Sequence, residues 1–181
     1  MKKLVKTSAL LALVISASAI LGSAQTAPTT GVRAWFMSEV AGLEKKFVGL
    51  AEAVPEDKYT WRPGEGVRSV SEVYLHVALA NMRIPTALGV APPSGIQPKG
   101  FEKSTSEKAK VIELLKQAFE HLRQAAMKTS DADLEKKTKL FGREAAYQDV
   151  FLGISTHMHE HLGQSIAYAR VNKVTPPWSE K

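Results

Sequence analysis

The stretch AAYQDVFLGISTHMHEHLGQSIAYARV, Ala145–Val171, decides how this chain is read. Its apolar residues recur at helical spacing, so a single helix is expected, roughly 40 Å long at ~1.5 Å per residue. The chain has 5 histidines, and His157, His159 and His161 stand within this stretch. Each residue turns a helix by about 100°, so the direction of every imidazole can be counted. With Ile154 as reference, Val150, His161 and Tyr168 fall within about 40° of it and His157 within about 60°. Phe151, Met158 and Leu162 widen this stripe on one side, and Gln164 borders it on the other. His159 lies about 140° away, with Arg170. His157 and His161 are therefore expected to face the core one turn apart, and His159 to face solvent.

The same count on the segment that follows Ser69 places His76 inward, among Val73, Val77 and Ala80. Two histidines at i and i+4 can ligate one metal ion because their side chains lie above one another. A third inward imidazole from a neighbouring helix would complete a three-histidine site. Three neutral nitrogens leave a coordination position open for water or substrate, the pattern of a catalytic zinc rather than a structural one. The competing reading is a histidine cluster that only packs and hydrogen-bonds. His121, on the shoulder of another apolar face, is expected to be half-exposed.

Four long helical segments and no strand are expected. The first covers about Val32–Ala53, with Trp35, Val40, Leu43, Phe47 and Leu50 at helical spacing, and stops before Pro55. PEDKYTWRPGEGVR is a loop, which Trp61, Arg62 and Pro63 are expected to lock onto the helices. Ser69 and Glu72 have capping-box spacing and open the second helix, which runs to about Ala87 with a kink or break at Pro85. GVAPPSGIQPKG, Gly89–Gly100, either covers a site or links helices. Ser104 and Glu107 have capping-box spacing ahead of the third helix, which runs to about Lys128. A polar connection, TSDADLEKKTKLFGRE, leads into the fourth. Trp178, in the tail, is expected to cap one end. Four such helices imply an all-α fold, a four-helix bundle.

Lys2, Lys3 and Lys6 precede an apolar run, Ala9–Gly22, and small residues follow at Gly22-Ser23-Ala24. This pattern is that of a secretory signal peptide, residues 1–24, cleaved after Ala24 and followed by a short linker, 25–30. The chain is therefore expected to be exported, periplasmic or secreted, without integral membrane association after cleavage. The sequence has no cysteine, which excludes disulfides and thiolate chemistry of its own. The formal charge is +6, and setting aside the three lysines of the leader leaves 21 basic against 18 acidic residues. They are interspersed, and no basic stripe with aromatics appears, so nucleic acid is not an expected partner. HEH is not the zinc-protease HExxH, because Gly163 stands where the second histidine belongs. No nucleophile elbow, phosphate-binding glycine loop or Glu-x-x-His pair on a core face is present.

Taken together, VPEDKYTWRPGEGVRSVSEVYLHVALAN around His76, LFG at Leu140–Gly142, HMHEHLGQSIAYARVN and the closing PPWS resemble the DinB-like (DinB/YfiT-like) family of metal-dependent enzymes. The resemblance covers about Gly31–Trp178, a domain of residues 31–178. The family pattern has one histidine on the second helix and an H-x-x-x-H pair on the last, before Gly-Gln; His76, His157, His161 and Gly163-Gln164 match it. The resemblance implies an up-up-down-down bundle, often a homodimer, and a divalent metal ion, zinc or nickel. Its better-understood members are transferases and isomerases that use low-molecular-weight thiols. Leu162 departs from the pattern, since many members carry a basic residue there, and export also separates this chain from reduced thiol pools.

Two functional classes follow from these residues. One is a metal-dependent hydrolase or transferase acting on a small molecule of unknown identity. In it, Gln164 or Tyr168 would orient the bound species, and Glu72, one turn before His76, would accept a hydrogen bond or a proton. The other is a non-catalytic bundle that binds a metal or another ligand.

Overall fold

A computed structural model describes residues 30–179. The expected signal peptide, and all of the linker except Thr30, lie outside the described residues. Four helices dominate: α1 (Gly31–Ala53), α2 (Val70–Arg83), α3 (Lys108–Lys128) and α4 (Tyr147–Val171). Their termini follow local chemistry. Val54, the residue before Pro55, is extended and ends α1. The Ser69–Glu72 capping box is formed: Glu72 N donates to Ser69 Oγ at 3.3 Å, and Ser69 N donates to Glu72 Oε2 at 2.8 Å. At Pro85 the chain leaves α2 for a tighter 3₁₀ turn, Ile84–Leu88, closed by Gly89 at φ 76°.

Four expectations are corrected. The second capping box does not form. Ser104 closes a 3₁₀ turn at Phe101–Lys103, and the N–H of Glu107 is taken by Thr105 Oγ1 at 3.1 Å. Phe36, not Trp35, enters the core from α1, and Trp35 is 44% exposed. A strand pair is present, β1 (Lys137–Leu140) and β2 (Arg143–Ala146), paired antiparallel with Leu140 opposite Arg143. Its two-residue turn, Phe141-Gly142, has φ of 50° and 79°, the signs of a type I′ hairpin turn. A Cβ on Gly153 would come within 2.8 Å of Leu140 Cδ2, so a glycine there lets the hairpin lie against α4.

The fourth correction concerns helix direction. Arg33, at the start of α1, donates to Ala126 O near the end of α3, and Glu52, at the end of α1, pairs with Lys116. These two helices are antiparallel. Phe36 meets Phe151 with ring centroids 4.6 Å apart, and Glu39 meets His159, so α1 and α4 run the same way. Tyr168 Oη donates to Arg68 O, whereas His76 meets His157, so α2 opposes α4. The order is up-down-down-up, in place of the expected up-up-down-down. Phe36, Phe47, Tyr74, Phe119 and Phe151 fill the shared core.

Candidate metal centre

One face of α2 and one of α4 carry the three inward histidines to the same point. The ring centroids of His76 and His157 are 5.0 Å apart, those of His76 and His161 4.6 Å, and those of His157 and His161 4.5 Å. One nitrogen from each ring lies within 4.8 Å of the other two. The Nε2 atoms of His76 and His157 are 3.0 Å apart. At this distance the two rings can share a hydrogen bond, and since tetrahedral ligands at the ~2.0–2.1 Å bonds of zinc would stand about 3.3 Å apart, a small adjustment lets both face one ion.

Hydrogen bonds outside the triad set the tautomers. His76 Nδ1 lies 2.6 Å from Glu102 Oε1, and a carboxylate only accepts, so the proton is on Nδ1 and the Nε2 lone pair faces the cluster. His161 Nδ1 lies 2.8 Å from Gln164 Oε1. Gln164 Nε2 donates to Tyr168 Oη at 3.0 Å, which orients the amide and leaves its oxygen to accept from His161. Tyr168 in turn donates to Arg68 O at 3.2 Å. Arg68 closes the circuit with a forked pair on Glu102, Nε–Oε2 2.7 Å and Nη2–Oε1 3.2 Å. His157 is the exception: its Nδ1 is buried without a partner.

The electrostatics favour the neutral form of His157 and His76, the form that ligates. Burial pushes His157 down to about 4, helped by its neighbours His161 and His76. Burial also lowers His76, against the opposing pull of Glu102. Burial alone would raise the Glu102 carboxyl, but its bonds to Arg68 and His76 prevail and hold it below the usual carboxylate range. The side chain of His76 keeps 22% exposure, so the cluster is not sealed from solvent. Three imidazole nitrogens, two of them with tautomers fixed from behind by Glu102 and Gln164, fit a zinc or nickel ion.

The remaining candidates divide. Gln164 and Tyr168 belong to the circuit. Glu72 is occupied by Ser69 N and by Arg62, and the acceptor on His76 is Glu102 instead. His159 is exposed and 3.0 Å from Glu39. His121 lies outside the cluster, half-exposed, with Nε2 buried and unpartnered. Trp61 packs edge-on against Tyr168 at 5.3 Å, which ties its loop to the site. Trp178 remains 39% exposed. Glu102 and Arg68 were not legible beforehand. Glu102 sits on a 3₁₀ turn 26 residues beyond His76, and no periodicity connects the two positions.

The sequence model of the DinB superfamily matches residues 41–165. The chain belongs to the DinB superfamily. Among solved DinB-like structures, one from Bacillus cereus superposes with a TM-score of 0.70 at 14% identity, covering 80% of this chain and 95% of its own. Another, from Bacillus subtilis, gives 0.62 at 19% identity, covering 78% and 93%. At these identities the likeness concerns the fold. No curated protein matches the sequence. Metal binding is a property of the DinB superfamily, and the three-histidine group of this member is compatible with it.

Proposed function

We propose that this DinB-superfamily protein holds one divalent ion, zinc or nickel, on His76, His157 and His161, and acts on a small molecule by hydrolysis or group transfer. The observation that carries this reading is the pair of outer hydrogen bonds, Glu102 on His76 and Gln164 on His161, which turn two Nε2 lone pairs toward one point. When bound, the ion would supply Lewis-acid activation of water or of a substrate hydroxyl or thiol. The protein's own groups orient and hold protons: Glu102 keeps the His76 proton on Nδ1, and Gln164 keeps that of His161. The Gln164–Tyr168 pair lies at the edge of the cluster, where it would orient a bound species. The leader pattern supports action outside the cytoplasm, and the family supports a homodimer.

One observation favours a second reading, a metal-holding protein without turnover. Both carboxylates near the site, Glu72 and Glu102, are occupied by arginine and by backbone or histidine partners, so neither is poised as a general base. Metal analysis of protein purified without a histidine tag tests the shared premise. About one ion per chain is expected in wild type and in His159→Ala, and none in His76→Ala, His157→Ala or His161→Ala. Absence of ion and of zinc or nickel uptake in wild type would refute both readings. A metal-dependent rate on an ester, amide and thiol-transfer panel then separates enzyme from binder.

A further inference from the structure

Arg68 stands beside the histidines with one edge of its side chain unused. Its backbone is fixed on both sides. The Arg68 carbonyl accepts from Tyr168 Oη at 3.2 Å, and two residues on, Val70 N donates to Trp61 O at 3.0 Å. Its guanidinium is held by the fork on Glu102, which uses the edge shared by Nε and Nη2. A guanidinium is planar and carries five N–H donors. The edge shared by Nη1 and Nη2 therefore offers a second parallel pair of donors, the geometry that matches a carboxylate. Among the described residues, Nη1 has no hydrogen-bond partner, and the side chain is 40% exposed. Burial does most to keep His76 and His157 neutral, and the charge of Arg68 adds to it at both rings.

The charges around this edge leave it uncompensated. Glu102 is taken by Arg68 and His76, and Glu72 by Arg62 and Ser69 N. Lys103 is close enough to act on Glu72 and makes no ion pair among the described residues. Arg62, Arg68 and Lys103 stand against Glu72 and Glu102. Glu160, exposed on α4, is not among the main influences on either ring. Neutral imidazoles bring no negative charge to a divalent ion, so a bound ion would keep its full charge. A site with that balance is complementary to an anion. We infer that the small molecule acted on at this centre carries a carboxylate, seated on the free Nη1–Nη2 edge of Arg68 while its reacting group faces the three histidines. The inference rests on the metal-centre reading proposed above and adds the substrate class to it. One edge of Arg68 positions Glu102 behind His76, and the other selects the substrate.

The test uses cobalt(II) as the ion, because a thiolate bound to cobalt gives a visible charge-transfer band. Mercaptoacetate, 3-mercaptopropionate and 4-mercaptobutyrate are titrated into the cobalt-loaded protein, each beside its uncharged amide, so that the series varies the reach from ion to guanidinium. In wild type, at least one acid should bind about tenfold or more tightly than its amide, as a charge-assisted pair allows. This preference should vanish in Arg68→Gln. It should shrink in Arg68→Lys, which keeps a charge against Glu102 but loses the second pair of donors. Affinity for the amides should change little. A purely structural Arg68 would alter cobalt affinity or stability and leave the acid-to-amide ratio alone. Failure of wild type to take up cobalt would refute the metal-centre reading and this inference with it. Cobalt uptake with no acid preferred over its amide would overturn the inference alone, without recourse to a variant. So would a preference unchanged in Arg68→Gln and Arg68→Lys, which would assign it to the ion. If Arg68→Gln fails to fold, the wild-type ratio and Arg68→Lys decide.

Discussion

The α1–α3 seam and the α2–α4 seam divide the work of the bundle. Between α1 and α3, Phe47 stacks near Phe119 with centroids 6.0 Å apart, and the rim is tied by ion pairs such as Glu44–Arg123 and Glu52–Lys116. Between α2 and α4 stand three histidines, Asn81 and the Glu102–Arg68 circuit. Asn81 Oδ1 and His157 Nδ1 are buried there without partners. Unsatisfied buried polar atoms each cost about 1–3 kcal/mol. One seam thus stabilises the fold, and the other accepts a stability cost for polar groups that a hydrophobic bundle would omit. Such a division is what a site built inside a bundle requires.

The largest break in this contrast should come from the aromatic seam. Phe47→Ala is expected to destabilise by about 3–5 kcal/mol, read as a lower urea midpoint. Zinc uptake by the folded fraction should be unchanged. Truncation in the polar seam should act the other way. Glu102→Ala is expected to weaken zinc affinity about 10–100-fold in a competitive chelator titration, with a smaller effect on the urea midpoint. Equal zinc affinity in wild type and variant would remove Glu102 from the site. The smallest effect is a pH dependence at His121, on α3 and half-exposed. Burial, then the nearby Lys128 charge, lowers its pKa from the ordinary 6.5. The folded state therefore binds fewer protons there than the unfolded chain, and stability is lost as pH falls below 6.5 toward the lowered value. His121→Gln should flatten the drop in urea midpoint between about pH 7.5 and about pH 5.5 relative to wild type.

What the sequence revealed followed from helical geometry. Directions along α4 separated His157 and His161 from His159, because 100° per residue is a fixed rule of an isolated helix. The Ser69–Glu72 cap was legible for the same reason, since both partners lie within one turn. Helix direction was not, because nothing along one helix records which way its neighbour runs. The hairpin was hidden by its polar alternation, Lys-Thr-Lys-Leu, over strands of four residues. Trp35 and Phe36 are adjacent apolar residues about 100° apart, and packing decided which of them is inside. Ser104 and Glu107 show that cap spacing is necessary without being sufficient: the loop before α3 turned at Ser104 and made a different local bond.

The circuit from His161 through Gln164, Tyr168, Arg68 and Glu102 to His76 also has a mechanical meaning. It joins α4 to the start of α2 through Tyr168 and Arg68, and Glu102 then braces that start against His76 about two turns along α2. A slip of one residue would move a helix by about 1.5 Å, far beyond the roughly 0.2 Å tolerance of a metal–ligand bond. On the proposed metal-binding reading, an ion would meet a spacing of the His76 and His157 nitrogens already set by the protein, and one whose preferred bonds differ by a few tenths of an ångström would have to strain that register to bind.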